Sequence, residues 1–331
     1  MERNSTMIDV AREAGVGLKT VSRYVNGETN IAPALGERIG EAIRRLGYRK
    51  NLAAASIRPG HTSKVLGLVI GDIGNPYYSV LTRAIEREAR ESNYLLITAS
   101  SEEDGARHDE LVDRLLQQRV EGLIIVPPKD PGRSWAQYAP PLPPVVFVDR
   151  PDHAENADVV LADDSRGARE ATATLIRTAG MRVAFVGDSL DIYTMEQRHH
   201  GYVMAIEEAG GKSQPSLVYS TAHDSDDAAH LVLKLLTDEP AIDAIFAANN
   251  RSSMGAVMAF NEAGRRLPLI GFDDFEAAVV TAPQVSVVTH DIAQMGCTAA
   301  RFLIDRIQGK REGGTRVVLP TQLLLRGSEQ A

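Results

Sequence analysis

The sequence has a single cysteine, Cys297, so no intrachain disulfide can form. That residue reads as a small buried hydrophobe in a helix. No apolar run approaches the roughly 20 residues needed to cross a bilayer. The polar N-terminal stretch is not of signal-peptide type. Both absences predict a cytoplasmic protein with no membrane partner. There is no glycine-rich phosphate loop ending in lysine and no nucleophile elbow. His199 and His200 are adjacent, so on a helix they point about 100° apart and cannot readily share a metal. No catalytic residue, cofactor or metal site is assigned, and the expectation is that the chain is not an enzyme. The tail beyond Gly327 is short and lacks heptads, so it does not suggest a tail-built tetramer.

What is present begins at the N-terminus. Thr6-Met7-Ile8-Asp9-Val10-Ala11-Arg12-Glu13-Ala14-Gly15 reads as a short helix capped by Thr6, with Asp9 in its first turn. Gly15 supplies a left-handed end. A second helix runs from about Leu18 to Val25 and is closed by Gly27. Ile8, Val10, Ala11, Ala14, Val21 and Val25 are expected inward; Leu18, Lys19, Ser22 and Arg23 outward. A third helix starts near Pro33 and carries the stripe Leu35, Ile39, Ala42, Ile43 and Leu46 up to Gly47. Gly36 and Gly40 inside it cost roughly 1 kcal/mol each relative to alanine, so packing must sustain it. Two short helices around a tight glycine turn form the helix-turn-helix pattern that places a helix in a DNA groove. Residues 1–60 hold ten Lys or Arg against six Asp or Glu, +4, while the whole chain is −8, leaving −12 elsewhere. A basic head on an acidic body suits a head that meets phosphate.

After Gly60 short apolar runs alternate with helix-period segments. Val65–Ile70, Tyr94–Thr98, Gly122–Val126, Val145–Val148, Arg182–Val186, Ser216–Tyr219, Ala244–Ala248 and Leu269–Phe272 read as strands. Helices are expected at Tyr78–Ser92, Arg107–Arg119, Gly167–Thr178, Arg198–Ala209, Asp226–Leu236 and Ser253–Ala263. The alternation implies parallel sheets covered on both faces. So many units imply two doubly wound lobes, with a closed barrel as the competitor. The fold class is α/β with an all-α head. Polar residues gather at strand ends: Asp72 and Asn75, Asp149 and Arg150, Asn249 and Asn250, Asp273 and Asp274. Each group alone is what turns favour. Their recurrence in both halves describes a cleft suited to a hydroxyl-rich ligand.

These motifs together resemble the lactose-repressor (LacI/GalR) family. The resemblance rests on Asp9–Val16 with Thr20-Val21-Ser22-Arg23, Leu46-Gly47-Tyr48, Asn75-Pro76-Tyr77-Tyr78, Val148-Asp149-Arg150, Arg198-His199-His200-Gly201-Tyr202 and Gly271-Phe272-Asp273-Asp274. It implies a helix-turn-helix head over 1–50 and a hinge helix and linker over 51–63. It also implies a first lobe of 64–161 plus 292–320 and a second of 162–291 plus 321–331, of periplasmic-binding-protein type. The implied partners are a palindromic DNA operator, a second copy of the chain and a small effector, either a sugar, a nucleoside or a sugar acid. Leu18, Lys19, Thr20, Ser22 and Arg23 would serve the recognition helix, with Thr6 and Asn26 on the phosphate side. Asn51, Ala54 and Ile57 fall in the hinge, with Ile57 in place of the usual leucine wedge and Lys50 in place of a frequent proline. The effector positions carried over are Asn75, Tyr77, Tyr78, Asp149, Arg150, Arg198, His223, Asn249, Asp273 and His290. His223 would replace a stacking aromatic. Gly17 stands for the usual Ser or Thr cap, and Asn250 for the common aspartate. The approach to Gly271 is about four residues short, which leaves the placement of Asp273 open. A transport-type sugar-binding module, a sugar-handling enzyme and a regulator answering to a partner protein are the rival readings.

Overall fold

The computed structural model describes residues 5–28, 30–49, 63–152, 154 and 156–330. It divides into two units, residues 1–63 and 64–331. The expected hinge residues Asn51, Ala54 and Ile57, and Lys50 before them, lie outside the described residues.

Among the described residues the small unit holds three helices, α1 (Met7–Ala14), α2 (Leu18–Val25) and α3 (Pro33–Leu46). Thr6 and Asp9 close a reciprocal capping box: the Thr6 N–H donates to Asp9 Oδ2 at 2.9 Å, and the Asp9 N–H donates to Thr6 Oγ1 at 3.3 Å. Gly15 ends α1 in the left-handed region, φ 61°. Val10, Ala11, Ala14, Val21, Ile39 and Ala42 form the core. Ile8 does not join it and is 57% exposed. One residue's step around the helix takes it to the outer face, and Met7 packs inward instead. The two glycines of α3 have a packing reason. The Tyr24 ring lies on them, and a methyl at Gly40 would stand 2.8 Å from Tyr24 Oη.

The large unit contains two six-stranded sheets. The first is built from β1 (Val65–Ile70), β2 (Leu95–Ser100), β3 (Gly122–Ile125), β4 (Val145–Val148), β5 (Asp158–Ala162) and β11 (Arg316–Leu319), in the order β11-β5-β4-β3-β1-β2. The second uses β6 (Val183–Val186), β7 (Val218–Tyr219), β8 (Ala244–Ala247), β9 (Leu269–Phe272), β10 (Ser286–Thr289) and β12 (Gln322–Leu324), in the order β12-β10-β9-β8-β6-β7. The two orders are the same pattern twice. Every pairing is parallel except β10 with β12, which is antiparallel. Helices α4 (Pro76–Glu91), α5 (Gly105–Gln117) and α10 (Ile292–Ile307) belong to the first sheet. Helices α6 (Asp164–Thr178), α7 (Tyr193–Glu208), α8 (Ser225–Asp238) and α9 (Asn250–Ala263) belong to the second. The chain passes between the sheets after β5, after β10 and after β11.

Each lobe buries its own core, around Leu66, Leu68, Ile124 and Val146 in the first and around Phe185, Phe246, Ile270 and Phe272 in the second. At roughly 25 cal/mol per Å² of apolar surface removed from water, such clusters supply most of the fold's stability. In the large unit the described α-helices other than α7 start on an Asp or Asn cap. Asn75 accepts from the Tyr77 N–H at 3.0 Å, Asn249 from Ser252 at 2.7 Å and Asp291 from Gln294 at 2.7 Å. The capping and the cleft-lining roles of Asn75 and Asn249 therefore coexist. Gly201 admits α6: a methyl there would meet the Ser165 carbonyl oxygen at 2.0 Å. This close approach places the start of α6 beside Arg198 on α7.

Candidate functional site

The strand ends of both lobes line one cavity of about 450 Å³. Asn75, Tyr77, Tyr78, Asp149, Arg150, Arg198, His223, Asn249 and Asp273 are on its wall. His290 is not. It is buried behind Tyr77, with the Tyr77 hydroxyl 3.3 Å from its Nε2. Its position directly after β10, at a crossing between lobes, turns the ring into the protein. Burial holds its imidazole below the usual pKa, so it is neutral.

The two lobes build the cavity with parallel devices. Asp149 follows β4 and Asp273 follows β9, the same place in the two sheets. Both hold left-handed backbone, φ 69° and 63°, which costs of order 1–3 kcal/mol in a non-glycine residue and aims the side chain away from the strand direction. The shortened approach to Gly271 therefore does not displace Asp273. β9 pairs in register with β8 and β10, and the Asp273 N–H donates to the Val288 carbonyl at 2.8 Å.

Each aspartate belongs to a triad centred on a buried arginine. In the second lobe Arg198 Nε donates to Asp164 Oδ1 at 2.7 Å. Its Nη1 donates to Asp273 Oδ2 and to the Ala248 carbonyl, both at 2.8 Å. Its guanidinium lies 3.7 Å from the centre of the Phe272 ring. In the first lobe Arg150 Nη1 donates to Glu103 Oε2 at 2.8 Å and to the Pro127 carbonyl at 3.1 Å, while its Nε stands 3.6 Å from Asp149 Oδ2. The Tyr77 hydroxyl donates to Asp149 Oδ1 at 2.8 Å. Burial, and then the Asp149 charge, push the Tyr77 pKa well above the usual phenol range, so this proton stays in place. Burial also raises Asp149, against the pull of Arg150 and Arg198, and pushes Asp164 up to about 7 despite Arg198.

Beside the Tyr77–His290 contact, two pairs on the helix-start loops join the lobes at the cleft. Asn250 Nδ2 donates to Asn75 Oδ1 at 2.8 Å, and Arg251 pairs with Asp72. An aspartate at 250 would have no proton to give, so the asparagine makes this bridge possible. His223 is 63% exposed at the rim, its Nδ1 2.6 Å from Asp188. Asp164, Glu103 and Arg251 were not among the candidate site residues, and Asp72 stood out only as one of the polar strand-end residues. A charged residue whose partner comes from a distant strand end leaves no local pattern.

On the head, Leu18 is 47% exposed and Lys19 is exposed; Thr20, Ser22 and Arg23 are partly covered. Arg23 Nε donates to Glu28 at 2.7 Å, and its Nη2 reaches Asn30. Thr6 is committed to the capping box and Asn26 ends α2. Gly17 precedes α2 with no side-chain cap. The exposed set can meet base edges and phosphates once Arg23 exchanges its local partners.

Residues 6–51 match the family described as bacterial regulatory proteins, lacI family. Residues 63–326 match the periplasmic binding proteins and sugar binding domain of LacI family. The HTH-type transcriptional regulator CelR of Thermobifida fusca is 32% identical over 341 positions, which cover 98% of each chain. The solved structure of a transcriptional regulator CelR–cellobiose complex aligns with TM-score 0.71 at 28% identity, over 98% of this chain and 99% of that one. The lac repressor dimer bound to operator and the anti-inducer ONPF aligns with TM-score 0.82 at 22% identity, over 99% and 100%, and shares the fold. Among the described residues no helix is long and apolar enough to cross a membrane.

Proposed function

This chain belongs to the LacI family of bacterial regulatory proteins, and we propose that it represses carbohydrate-utilisation genes by binding a palindromic operator as a dimer, with a small hydroxyl-rich effector in the cleft setting its grip. It is a DNA-binding transcriptional regulator by its family. In this reading residues 1–50 read the operator, 51–63 are the hinge, and the two lobes, 64–161 plus 292–320 and 162–291 plus 321–331, hold the effector. Lys19, with Leu18, Thr20, Ser22 and Arg23, faces the major groove. Asn51, Ala54 and Ile57 serve the minor groove. The outward apolar side chains of Val80 on α4 and Leu95 and Ile97 on the edge strand β2 suit a second copy.

The observation that carries the effector reading is the pair of buried arginine–carboxylate triads at one cavity, with Arg150, Glu103, Asp149, Arg198 and Asp273 on its wall and Asp164 behind Arg198. A sugar hydroxyl both donates and accepts, and here it meets carboxylates, amides and guanidinium groups held rigidly in place. Both buried arginines are already flanked by two carboxylates each. That favours a neutral sugar or nucleoside over a sugar acid, whose carboxylate would meet Asp149 and Asp273.

The test is selection of bound sequences from random DNA with the full chain, followed by thermal-shift screening of sugars, nucleosides and sugar acids. A palindromic consensus with strong salt dependence is expected. At least one neutral compound should raise the melting temperature and change operator affinity. Absence of any selected sequence at low salt overturns the DNA reading. A stabilising compound that leaves operator affinity unchanged overturns the switch.

A further inference from the structure

The residue after each cleft aspartate carries opposite charge in the two lobes. In the first lobe it is Arg150, anchored on Glu103. In the second it is Asp274, whose two oxygens accept from the two terminal nitrogens of Arg326: Nη1 to Oδ1 at 2.7 Å and Nη2 to Oδ2 at 2.6 Å. Arg326 follows β12 and lies off the cavity wall. It is itself fixed. Its Nη1 also donates to the Val285 carbonyl at 3.2 Å, and its N–H to Ser286 Oγ at 2.7 Å. The Ser286 N–H donates in turn to Ser328 Oγ at 2.8 Å, and the Ser286 hydroxyl to Glu329. The last turn of the chain thus holds the arginine that holds Asp274.

We propose that Arg326 is a positioning residue for the effector cleft: by gripping Asp274 it fixes the left-handed turn that presents the Asp273 carboxylate to Arg198 and to the cavity. A non-glycine residue in the left-handed region relaxes toward extended backbone unless its surroundings over-determine it. Asp273 has one backbone bond, to Val288, and its pairing with Arg198. Beyond Asp274 the next fixed point is Ala278, buried in the core with its carbonyl accepting from the Val285 N–H at 2.8 Å, and it lies four residues on, too far to set the backbone of Asp273 by itself. A guanidinium–carboxylate fork fixes angle as well as distance, so lysine at 326 would keep the charge and lose the orientation. The functional consequence rests on the effector reading above, but the geometry is testable without knowing the effector.

The experiment is NMR of the full chain labelled with ¹⁵N-arginine, following exchange of the Arg198 guanidinium protons with water and using those of Arg150 as the control in the same sample. In Arg326→Met the Arg198 exchange should accelerate about tenfold or more while Arg150 stays unchanged. Arg326→Lys should fall between, and the exchanged pair Asp274→Arg with Arg326→Asp should return toward the native rate. Unchanged Arg198 exchange in Arg326→Met overturns the proposal; so does equal acceleration at Arg150, which would mark general loosening. If Arg326→Met does not fold, Arg326→Lys against the exchanged pair decides, and a native rate in Arg326→Lys overturns it. A native chain that no sugar or nucleoside stabilises removes the effector reading and leaves the Arg198 result standing.

Discussion

The head and the cleft use arginine and lysine in opposite ways. On the head, Lys19 is exposed and Arg23 is partly covered, held by Glu28 and Asn30 at the surface. In the cleft, Arg150 and Arg198 are 7% and 3% exposed and each touches two carboxylates. Exposed pairs contribute little to stability and are screened by salt. They exchange cheaply for phosphate, as a DNA-reading surface requires. Buried pairs are costly to assemble and costlier to break, so the cleft is set before any ligand arrives. One region trades contacts and the other keeps them.

The largest break in this contrast is Arg198→Met. It leaves Asp164 and Asp273 buried without their cation, and a loss of about 3–5 kcal/mol is expected in denaturant unfolding of the large unit. The effector response should vanish while the head still binds operator. A stability change below 1 kcal/mol, measured by the same unfolding curves, would contradict the burial argument.

Lys19→Ala tests the other side. It should weaken and relax operator selection by about 1–3 kcal/mol, read from the consensus recovered from random DNA. The melting of the large unit should not move. An unaltered consensus would return Lys19 to an ordinary solvated charge.

A further test within the cleft is a pH dependence. Asp164 has a folded pKa near 7, above its unfolded value. The folded chain therefore binds the extra proton between about pH 4 and pH 7. Its contribution is fully present below the unfolded pKa and is lost as pH rises through the folded one. Asp164→Asn removes this term, so the variant's melting temperature relative to the native chain should be higher at pH 8 than at pH 5, by about 2–4 °C per kcal/mol. The buried histidines, including His290, cancel in that difference. A difference that falls with pH would show that Asp164 is held ionised.

The readable parts of the sequence are those whose cause is local. Val65–Ile70, Val145–Val148 and Leu269–Phe272 are apolar runs buried on both faces, and their bounds were plain from composition. β5, β10, β11 and β12 were not identified as strands. They flank the crossings, β11 and β12 are partly exposed and so lack a continuous buried run, and Gln322–Leu324 pairs antiparallel where the pattern elsewhere is parallel. α7 begins at Tyr193 rather than near Arg198, because Thr194 and Met195 turn inward in a first turn with no side-chain cap. Among the site residues, the strand-end aspartates and asparagines stood out by repeating in both halves, whereas Arg198, on a helix, entered through the resemblance. Asp164 and Glu103 did not, since each acquires its meaning from an arginine 34 or 47 residues away. His290 was placed beside the cleft by resemblance, whereas the packing of Tyr77 sets it one layer deeper.

The three crossings between sheets also bear on how the protein is made. Neither lobe is a continuous piece of chain. The first sheet needs β11, and its core needs α10, yet both emerge from the ribosome only after the whole of the second lobe's β6–β10. At about 5–20 residues per second, the exposed face of β1–β5 waits on the order of 7–30 s for its missing helix. During that interval Leu66, Val146 and Val160 have only part of their cover. The nascent chain is thus most prone to aggregation while its second half is being synthesised, and the final forty or so residues complete both lobes at nearly the same moment.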